Sequence, residues 1–318
     1  MASAGDNKSE ASVNMDSESE NADTEDGERI MIIDPESEEL DFNHSRLSKL
    51  ENLEPLTKIK KLCFTWNLIK KIENLDTLQT LVELELRDNQ LTVIENLDTL
   101  CNLQVLDLSF NRIKKIEGLE NLINLEKFFI SSNRISKIEN VSHLKNLTML
   151  ELGDNKIREI ENLDGLDNLT NLFLGKNKIS KIQNLGNLKN LDLLSLQSNR
   201  ITCIENLDEL VKLEQLYISE NGLTQIEGLE DCPKISTLDV AHNKIKKISN
   251  IQHLSELEEF WINNNEIEDW STVEVLTANK KLQTVYFEHN PIAKDPNYRR
   301  KIKIILPWLT QLDATLCR

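Results

Sequence analysis

Residues 81–94 read LVELELRDNQLTVI, and the same frame, L-x-x-L-x-L-x-x-N-x-[IL]-x-x-I, returns along most of the chain. Ten of its asparagines follow one another at intervals of 22 residues, and one more follows after 25 residues. These asparagines are Asn67, Asn89, Asn111, Asn133, Asn155, Asn177, Asn199, Asn221, Asn243, Asn265 and Asn290. A fixed period of this length indicates units that pack only against their neighbours, which builds a solenoid.

The frame predicts an α/β fold, a right-handed leucine-rich repeat solenoid with a concave parallel β-sheet. We number the first leucine of the frame as position 1 and the asparagine as position 9. Side chains alternate across a strand, so positions 4 and 6 should point inward and positions 3 and 5 outward. The return along the convex side is short and predicts 3₁₀ turns or single-turn helices. The asparagines should satisfy backbone groups at the bend after the strand and are interpreted as structural.

Three domains are expected. Residues 1–37 hold eleven acidic residues against Lys8 and Arg29, with few apolar residues, which predicts an acidic disordered tail. Residues 38–290 form the solenoid of about 12 repeats, the first degenerate with Ser45 in place of the asparagine. Residues 291–318 form a C-terminal cap with a helix over 298–305, because the last coil would otherwise expose an apolar edge.

Composition argues against several classes of function. The net charge of −17 and the acidic residues expected on the concave face disfavour nucleic-acid binding. No apolar run approaches the length of a membrane span. Five cysteines form no C-x-x-C pair, and the five histidines are dispersed. We therefore expect no catalytic residues, no metal site and no cofactor, hence no enzyme. The basic residues at 299–303 fit either a nuclear signal or the polar face of the cap helix.

Position 5 is where the repeats differ most from one another. In order it holds Asp41, Cys63, Glu85, Asp107, Phe129, Glu151, Phe173, Ser195, Tyr217, Asp239, Trp261 and Tyr286. Five of these are aromatic and five acidic, and position 8 adds Trp66 and Phe110. Aromatic residues also suit strands through cross-strand packing, but that does not explain their place on the wet face. We interpret the row as a protein-binding surface for a partner patch of Lys and Arg with apolar pits.

The repeat frame and the closing N-P-I-x-K-D-x-x-Y-R-x-x-x-x-x-x-L-P-x-L-x-x-L-D stretch of residues 290–313 together resemble a known family. This is the protein phosphatase 1 regulatory subunit 7 family of 22-residue leucine-rich repeats with a C-terminal cap. The resemblance covers about residues 38–318. It implies a non-enzymatic subunit in nucleus and cytoplasm that grips the catalytic subunit of this serine/threonine phosphatase and can join a second phosphatase inhibitor in a ternary complex.

The resemblance also implies which residues bind the partner. First are Asp107, Phe129, Glu151, Phe173, Trp261 and Tyr286, followed by Glu85, Tyr217 and Asp239. Most regulators of this phosphatase carry a basic-x-[VI]-x-[FW] motif in a flexible segment, whereas the approximate match at 285–287 lacks the basic residue and should lie on a strand. Binding should therefore use the folded concave surface. The alternative is a general protein-interaction adaptor of the spliceosomal or axonemal leucine-rich-repeat type, because the frame alone does not name a partner.

Overall fold

The computed structural model describes residues 34–317, and within them one sheet of 14 strands runs in sequence order. The first thirteen strands pair in parallel and the last pair is antiparallel. The strands are β1 Glu39–Asp41, β2 Lys61–Cys63, β3 Glu83–Glu85, β4 Val105–Asp107, β5 Lys127–Phe129, β6 Met149–Glu151, β7 Asn171–Phe173, β8 Leu193–Ser195, β9 Gln215–Tyr217, β10 Thr237–Asp239, β11 Glu259–Trp261, β12 Thr284–Tyr286, β13 Gln311–Leu312 and β14 Thr315–Leu316.

Each three-residue strand occupies positions 3 to 5 of its repeat, with the central residue inside. Leu84 lies opposite Leu106 across β3 and β4, and both side chains are fully buried. The predicted register is confirmed, and it stacks leucines and isoleucines of successive coils into one continuous core. The predicted parallel leucine-rich repeat solenoid is therefore the fold of the described residues.

The asparagine at position 9 forms a ladder of four hydrogen bonds per coil. In Asn89 the side-chain Oδ1 accepts the Ile69 N–H at 3.0 Å, and Nδ2 donates to the carbonyl of Phe64 at 2.8 Å. The same Nδ2 donates to Leu86 O and Arg87 O, both at 3.1 Å. The amide thus satisfies backbone groups of its own coil and of the preceding one, which confirms the structural interpretation.

A second asparagine ladder on the convex side was not predicted. Asn96 Nδ2 donates to Ile72 O of the preceding coil at 2.7 Å, and the Asn96 backbone is left-handed with φ of 58°. The same bond is made by Asn74, Asn140, Asn162, Asn184, Asn206 and Asn250. Gly118 and Gly228 take this place in two coils with φ of 68° and 66°. This position therefore requires a residue that tolerates the left-handed region, which asparagine and glycine do best.

The convex return is mostly a series of single turns closed by hydrogen bonds from residue i+3 to residue i, which is the predicted 3₁₀ type of turn. In a typical coil Leu78 N donates to Leu75 O and Leu81 N donates to Leu78 O, both at 3.0 Å, without continuing into a helix. The exception is the 3₁₀ helix Trp270–Ala278, which occupies the longer step before Asn290. A second 3₁₀ helix spans Pro291–Lys294. No helix among residues 34–317 has the length and apolar character needed to cross a membrane.

The C-terminal end closes with the predicted helix, α1, at Tyr298–Ile305. Asp313 continues the ladder there, because its Oδ1 accepts the Phe287 N–H at 2.8 Å and its Oδ2 accepts the Tyr298 hydroxyl at 3.0 Å. The strand β13 follows the helix, and the antiparallel β14 after it was not predicted. The boundaries of the three expected domains remain predictions, and the disorder expected of the acidic tail concerns residues that lie almost wholly outside the described range.

Basic side chains of α1 take part in the cap itself. Arg299 Nη1 donates to Leu312 O at 3.1 Å, Lys301 Nζ pairs with Asp295 at 2.6 Å, and Lys303 Nζ donates to Leu309 O at 2.8 Å. These bonds tie the helix to the segments around it. Of the two explanations for the basic run, the polar face of the cap helix is the one that these contacts support.

The first coil pairs with the solenoid although it is degenerate. Phe42 is buried and its ring stacks on Phe64 with 5.1 Å between centroids, which extends the core. Ser45 is exposed and its hydroxyl bonds only locally to Asn43 O at 3.4 Å. Ser45 therefore does not replace the ladder asparagine, and the ladder begins with Asn67, whose Oδ1 accepts the Leu47 N–H at 2.9 Å.

Candidate partner-binding surface

The residues predicted to bind a partner lie side by side on one face of the sheet. Asp107, Phe129, Glu151 and Phe173 are direct neighbours in register across β4 to β7. Glu85 precedes them on β3, and Tyr217, Asp239, Trp261 and Tyr286 follow on β9 to β12. The structure thus brings all nine into one row, with Ser195 between the two groups.

The row is less exposed than the sequence suggested. Most of its members are half-buried, and Asp239, Cys63 and Ser195 keep only 5% of their surface accessible. Neighbouring strands are about 4.8 Å apart, so large side chains in adjacent coils screen one another. The outward direction predicted for position 5 is confirmed, whereas the wet environment inferred for every member is not.

The aspartates of the row also have a structural role that corrects the sequence interpretation. Asp107 Oδ1 accepts the Ser109 N–H at 2.8 Å, and Asp239 Oδ1 accepts the Ala241 N–H at 3.0 Å. Asp239 Oδ2 also accepts the Ser219 hydroxyl at 2.6 Å. A short carboxylate that bonds the backbone two residues ahead stabilises the bend after the strand. The aspartates at position 5 therefore serve the scaffold as well as the surface.

An open groove runs along the middle of the row, from β4 to β8, with a volume of about 610 Å³. Its walls include Asp107, Phe129, Glu151 and Phe173 from position 5 and Asp154 from position 8. Its floor is the row of small residues at position 7, Ser109, Ser131, Gly153 and Gly175. The small floor residues leave room above the sheet for side chains of a partner between the aromatic rings.

Burial sets the electrostatics of the groove. Burial raises the pKa of the Asp107 carboxyl, against the opposing bonds from Ser109 and the charge of Arg87. Burial likewise raises the pKa of Glu151, and the charge of Asp107 adds to this effect. Burial alone would raise the pKa of Glu85, but bonds from Cys63 and Lys61 hold it below its usual value. Asp107 and Glu151 are therefore costly buried charges that a cation would stabilise.

The C-terminal half of the row carries an aromatic cluster. The Trp261 ring meets Tyr217 at 6.2 Å and Tyr286 at 5.8 Å between centroids, both edge-on. Gln311 of the cap donates to the Tyr286 hydroxyl at 2.8 Å. The Trp261 indole N–H is buried and has no hydrogen-bond partner within residues 34–317. A pre-packed tryptophan with an unused donor is typical of an interface anchor.

Position 8 adds a second line of residues whose backbone geometry the sequence did not reveal. Every described residue at this position is left-handed, including Trp66 with φ of 60° and Phe110 with φ of 56°. Both are exposed, at 56% and 42%, as predicted for outward residues. Trp66 stacks on His44 at 5.4 Å, and the Arg87 guanidinium lies 4.7 Å from the centre of the Phe110 ring.

Within residues 34–317 no group of three or more His, Cys, Asp and Glu side chains is arranged to hold a metal ion. His242 and His289 are exposed at position 8 of the coils that contain β10 and β12, and the coil of β11 separates them. The described surface carries partly buried acids, aromatic rings and a few cations.

Two family models match the chain, both for leucine-rich repeats. One, described as "Leucine-rich repeat", matches residues 194–316, and the other, "Leucine Rich repeats (2 copies)", matches residues 79–121 and 123–165. These matches agree with the ladder and the sheet. The chain is a leucine-rich repeat protein.

Similar curated proteins are named as phosphatase regulators. Protein phosphatase 1 regulatory subunit 7 of Homo sapiens is 52% identical over 52 residues, and that of Rattus norvegicus 54% over 52. Protein phosphatase 1 regulatory subunit SDS22 of Schizosaccharomyces pombe is 51% identical over 53 residues. Each match covers 16% of this leucine-rich repeat protein and about 14% of its relative's length.

Solved structures agree in fold at low identity. An internalin from Listeria monocytogenes superposes with a TM-score of 0.69 at 24% identity, covering 88% of this chain and 87% of its own. A leucine-rich repeat protein from Leptospira interrogans gives 0.67 at 24%, covering 81% and 73%. These similarities establish the solenoid architecture and leave the partner of the leucine-rich repeat protein to be argued from its surface.

Proposed function

We propose that this leucine-rich repeat protein is a non-enzymatic regulatory subunit that binds the catalytic subunit of serine/threonine protein phosphatase 1. The names of the curated relatives suggest the phosphatase. The observation that carries the proposal is the row of half-buried acids and aromatic residues along β3 to β12. We further propose that binding controls the activity, maturation or location of the enzyme in nucleus and cytoplasm, and that a second inhibitor can join a ternary complex.

The row fits a partner surface with Lys or Arg side chains between apolar pits. Asp107 and Glu151 alternate with Phe129 and Phe173 along the groove, so a cation entering between two rings would meet a carboxylate. Such a cation would relieve the cost of the buried acids, and the rings would supply most of the affinity. Twelve strands at about 4.8 Å span roughly 55 Å, enough for a whole globular domain.

The approximate linear motif at residues 285–287 does not provide a second way of binding the phosphatase. Val285 and Phe287, the apolar pair of the approximate motif at 285–287, are fully buried on β12 and its continuation. Only Tyr286 between them faces outward, and it belongs to the aromatic cluster. The described residues therefore favour binding through the folded sheet surface.

The proposal is tested with purified catalytic subunit and two variants, Phe173→Ala in the groove and Trp261→Ala in the aromatic cluster. Each should weaken binding at least about tenfold, since anchor residues cost about 2 kcal/mol or more when truncated. The control is Ile123→Ala, because Ile123 is 57% exposed and lies outside the row. Affinity is measured by titration calorimetry and folding by thermal unfolding of each variant.

Unchanged affinity in both variants and in the double variant would contradict the proposal. The unfolding temperatures are needed because Trp261 contacts two neighbouring rings, so its truncation can also destabilise the fold. A loss of affinity counts only where the unfolding temperature stays near that of the unmodified protein. Phe173→Ala is the cleaner case, since no ring contact of Phe173 is found among the described residues.

The alternative is a general adaptor of the spliceosomal or axonemal type. It stands beside the first proposal because each curated match covers only 16% of the chain. Isolation of the tagged protein from cell extract and identification of its stoichiometric partners separates the two. Recovery of the phosphatase catalytic subunit supports the regulatory role. Recovery of spliceosomal or axonemal proteins in its place supports the adaptor.

A further inference from the structure

A row of basic residues follows the ladder asparagine in five consecutive coils. These residues, here called the basic row, are Arg112, Arg134, Lys156, Lys178 and Arg200 at position 10. Four are exposed and Lys178 is partly exposed. Each stands between two inward residues, the asparagine before it and the isoleucine after it. The side chains are therefore directed outward at the edge where the chain leaves the sheet.

The backbone holds this row in a fixed line. Arg134 N donates to Ile113 O at 2.8 Å, Lys156 N to Ile135 O at 2.7 Å, and Lys178 N to Ile157 O at 2.8 Å. Arg112 and Arg200 make the same bond to their preceding coils. With coils about 4.8 Å apart, the five residues span roughly 19 Å. An extended peptide of about six residues has this length.

No member of the basic row forms an ion pair with a residue in 34–317. By contrast, Lys115 on the convex side pairs with Glu117 at 3.3 Å, and Lys246 pairs with Glu266 at 3.7 Å. The next outward positions, 12 and 13, add more cations in the same coils and one acid, Glu159. These cations are Lys114, Lys115, Lys137, Arg158 and Lys181.

Stacked like charges repel one another, so the basic row costs stability. The fold does not require it, because the same position holds Leu68, Gln90 and Gly222 in other coils. The local charge is also opposite to that of the whole chain, which carries −17. A row of one sign that forms no ion pair within residues 34–317, in a protein of the other sign, is a feature that a partner of complementary charge would explain.

We propose that the basic row binds an extended acidic segment of a partner protein, of about six residues rich in Asp or Glu. The charges of a short bound segment all lie within about one Debye length, 8 Å, of the row. Salt therefore screens their attraction to the row only in part. Nucleic acids and anionic membranes extend further and would meet the net negative field of the whole chain. The row is one residue wide in each coil, which also suits a single extended chain.

The site is separate from the proposed phosphatase surface and does not depend on it. It nevertheless lies in coils β4 to β8, the same coils that form the groove. The groove presents acids and aromatic rings to one part of a partner, and the adjacent edge presents cations to another. The groove and the basic row can therefore be occupied separately or at the same time.

The test uses the full chain and a fluorescein-labelled Glu-rich peptide long enough to span the row. Binding is followed by fluorescence anisotropy at low and at physiological ionic strength. The triple variant Arg134→Glu, Lys156→Glu, Lys178→Glu should weaken binding at least about tenfold, since it replaces three attractions with repulsions. The matched control, Lys145→Glu, Lys212→Glu, Lys234→Glu, makes the same charge change at exposed convex positions and should shift binding about twofold or less.

A second readout locates the peptide. Carbodiimide coupling followed by mass spectrometry should join its carboxylates to Lys156 and Lys178 more than to Lys145 or Lys212. Three results would overturn the proposal: no binding above that of a Ser/Gly peptide of equal length, equal losses in both triple variants, or coupling spread over all four lysines. Tighter binding of single-stranded RNA or of phosphatidylserine vesicles than of the peptide would also overturn it.

Discussion

The asparagine ladder makes a strong prediction for Asn155, in the middle of the solenoid. Its Oδ1 accepts the Ile135 N–H at 2.9 Å, and its Nδ2 donates to the carbonyls of Ile130, Leu152 and Gly153 at 3.0, 3.1 and 3.2 Å. The side chain keeps 8% of its surface accessible. We expect Asn155→Ala to destabilise the solenoid because it removes all four bonds from a buried place.

The loss in the free energy of unfolding depends on which backbone groups are left without any hydrogen-bond partner. The three carbonyls keep another donor: Ile130 O from Asn133, Leu152 O from Asn177, and Gly153 O from the Ser132 N–H. Only the Ile135 N–H loses its side-chain acceptor without replacement. An unsatisfied buried donor costs about 1–3 kcal/mol, and weakening of the shared bonds adds about 1 kcal/mol. The expected loss is therefore about 2–4 kcal/mol.

The assay is urea unfolding followed by circular dichroism, where a loss of about 3 kcal/mol lowers the midpoint by about 1 M. The control lies in the same coil on the convex side: Asn162→Gly removes one bond, to Ile138 O at 2.7 Å, and keeps the left-handed backbone accessible. It should cost less than about 1 kcal/mol. If Asn155→Ala shifts the midpoint no more than Asn162→Gly, the assignment of the ladder as the main polar support is wrong.

Two other predictions follow. Gly228→Ala should cost about 2 kcal/mol or more, since its Cβ would lie 2.3 Å from Ile204 O at φ of 66°, whereas Gly186→Ala, with 3.7 Å to Glu209, should be nearly neutral by the same urea assay. Phosphatase binding should weaken as pH falls from neutrality, because burial raises the pKa of Asp107 and Glu151 and both protonate before exposed carboxyls. Protonation favours the folded state for these two groups, so their contribution to stability rises over the same range. Calorimetry of Asp107→Asn, Glu151→Gln should show weaker binding and a flatter pH dependence; an unchanged pH profile would contradict this.

Much of the fold could be predicted because one local rule repeats. Large apolar residues at positions 4 and 6 fix the strand and its direction, and from the second coil onward asparagine at position 9 fixes the bend after it. The helix Tyr298–Ile305 was predicted with those bounds. The 3₁₀ helix Trp270–Ala278 was not, because it occupies a single longer step with no repeat to compare. The two-residue β14 is too short to leave a periodic signal.

The sequence predicted the face of the sheet on which the side chains of the candidate site lie, but not how deeply they are buried. Alternation across a strand places Phe129 and Glu151 on the same face. It does not reveal that Asp239 is almost fully buried, since that depends on the size of side chains in neighbouring coils. The structural bonds of Asp107 and Asp239 to the backbone were also missed. An aspartate followed two residues later by a small residue could have indicated them.

At position 8 the backbone supports the fold, while the side chain is free to vary on the surface. Tryptophan and phenylalanine in the left-handed region cost about 1–2 kcal/mol each. The cost is offset because the position-8 N–H groups from His44 to Asn264 donate to a carbonyl of the next coil, as Trp66 N to Arg87 O at 3.1 Å and Asp88 N to Ser109 O at 3.0 Å. The backbone conformation at this position is therefore determined by the backbone bonds between coils rather than by the side chain.

The same reasoning extends to positions 5 and 10, whose backbones are bonded between coils while their side chains vary. Acids and aromatic rings at position 5 and cations at position 10 then occur in the same coils without altering the core between them. Two surfaces of opposite charge on one rigid support can bind different parts of a partner, or two partners. Charge reversal at position 10 should therefore leave binding at position 5 unchanged, apart from the long-range effect that salt screens.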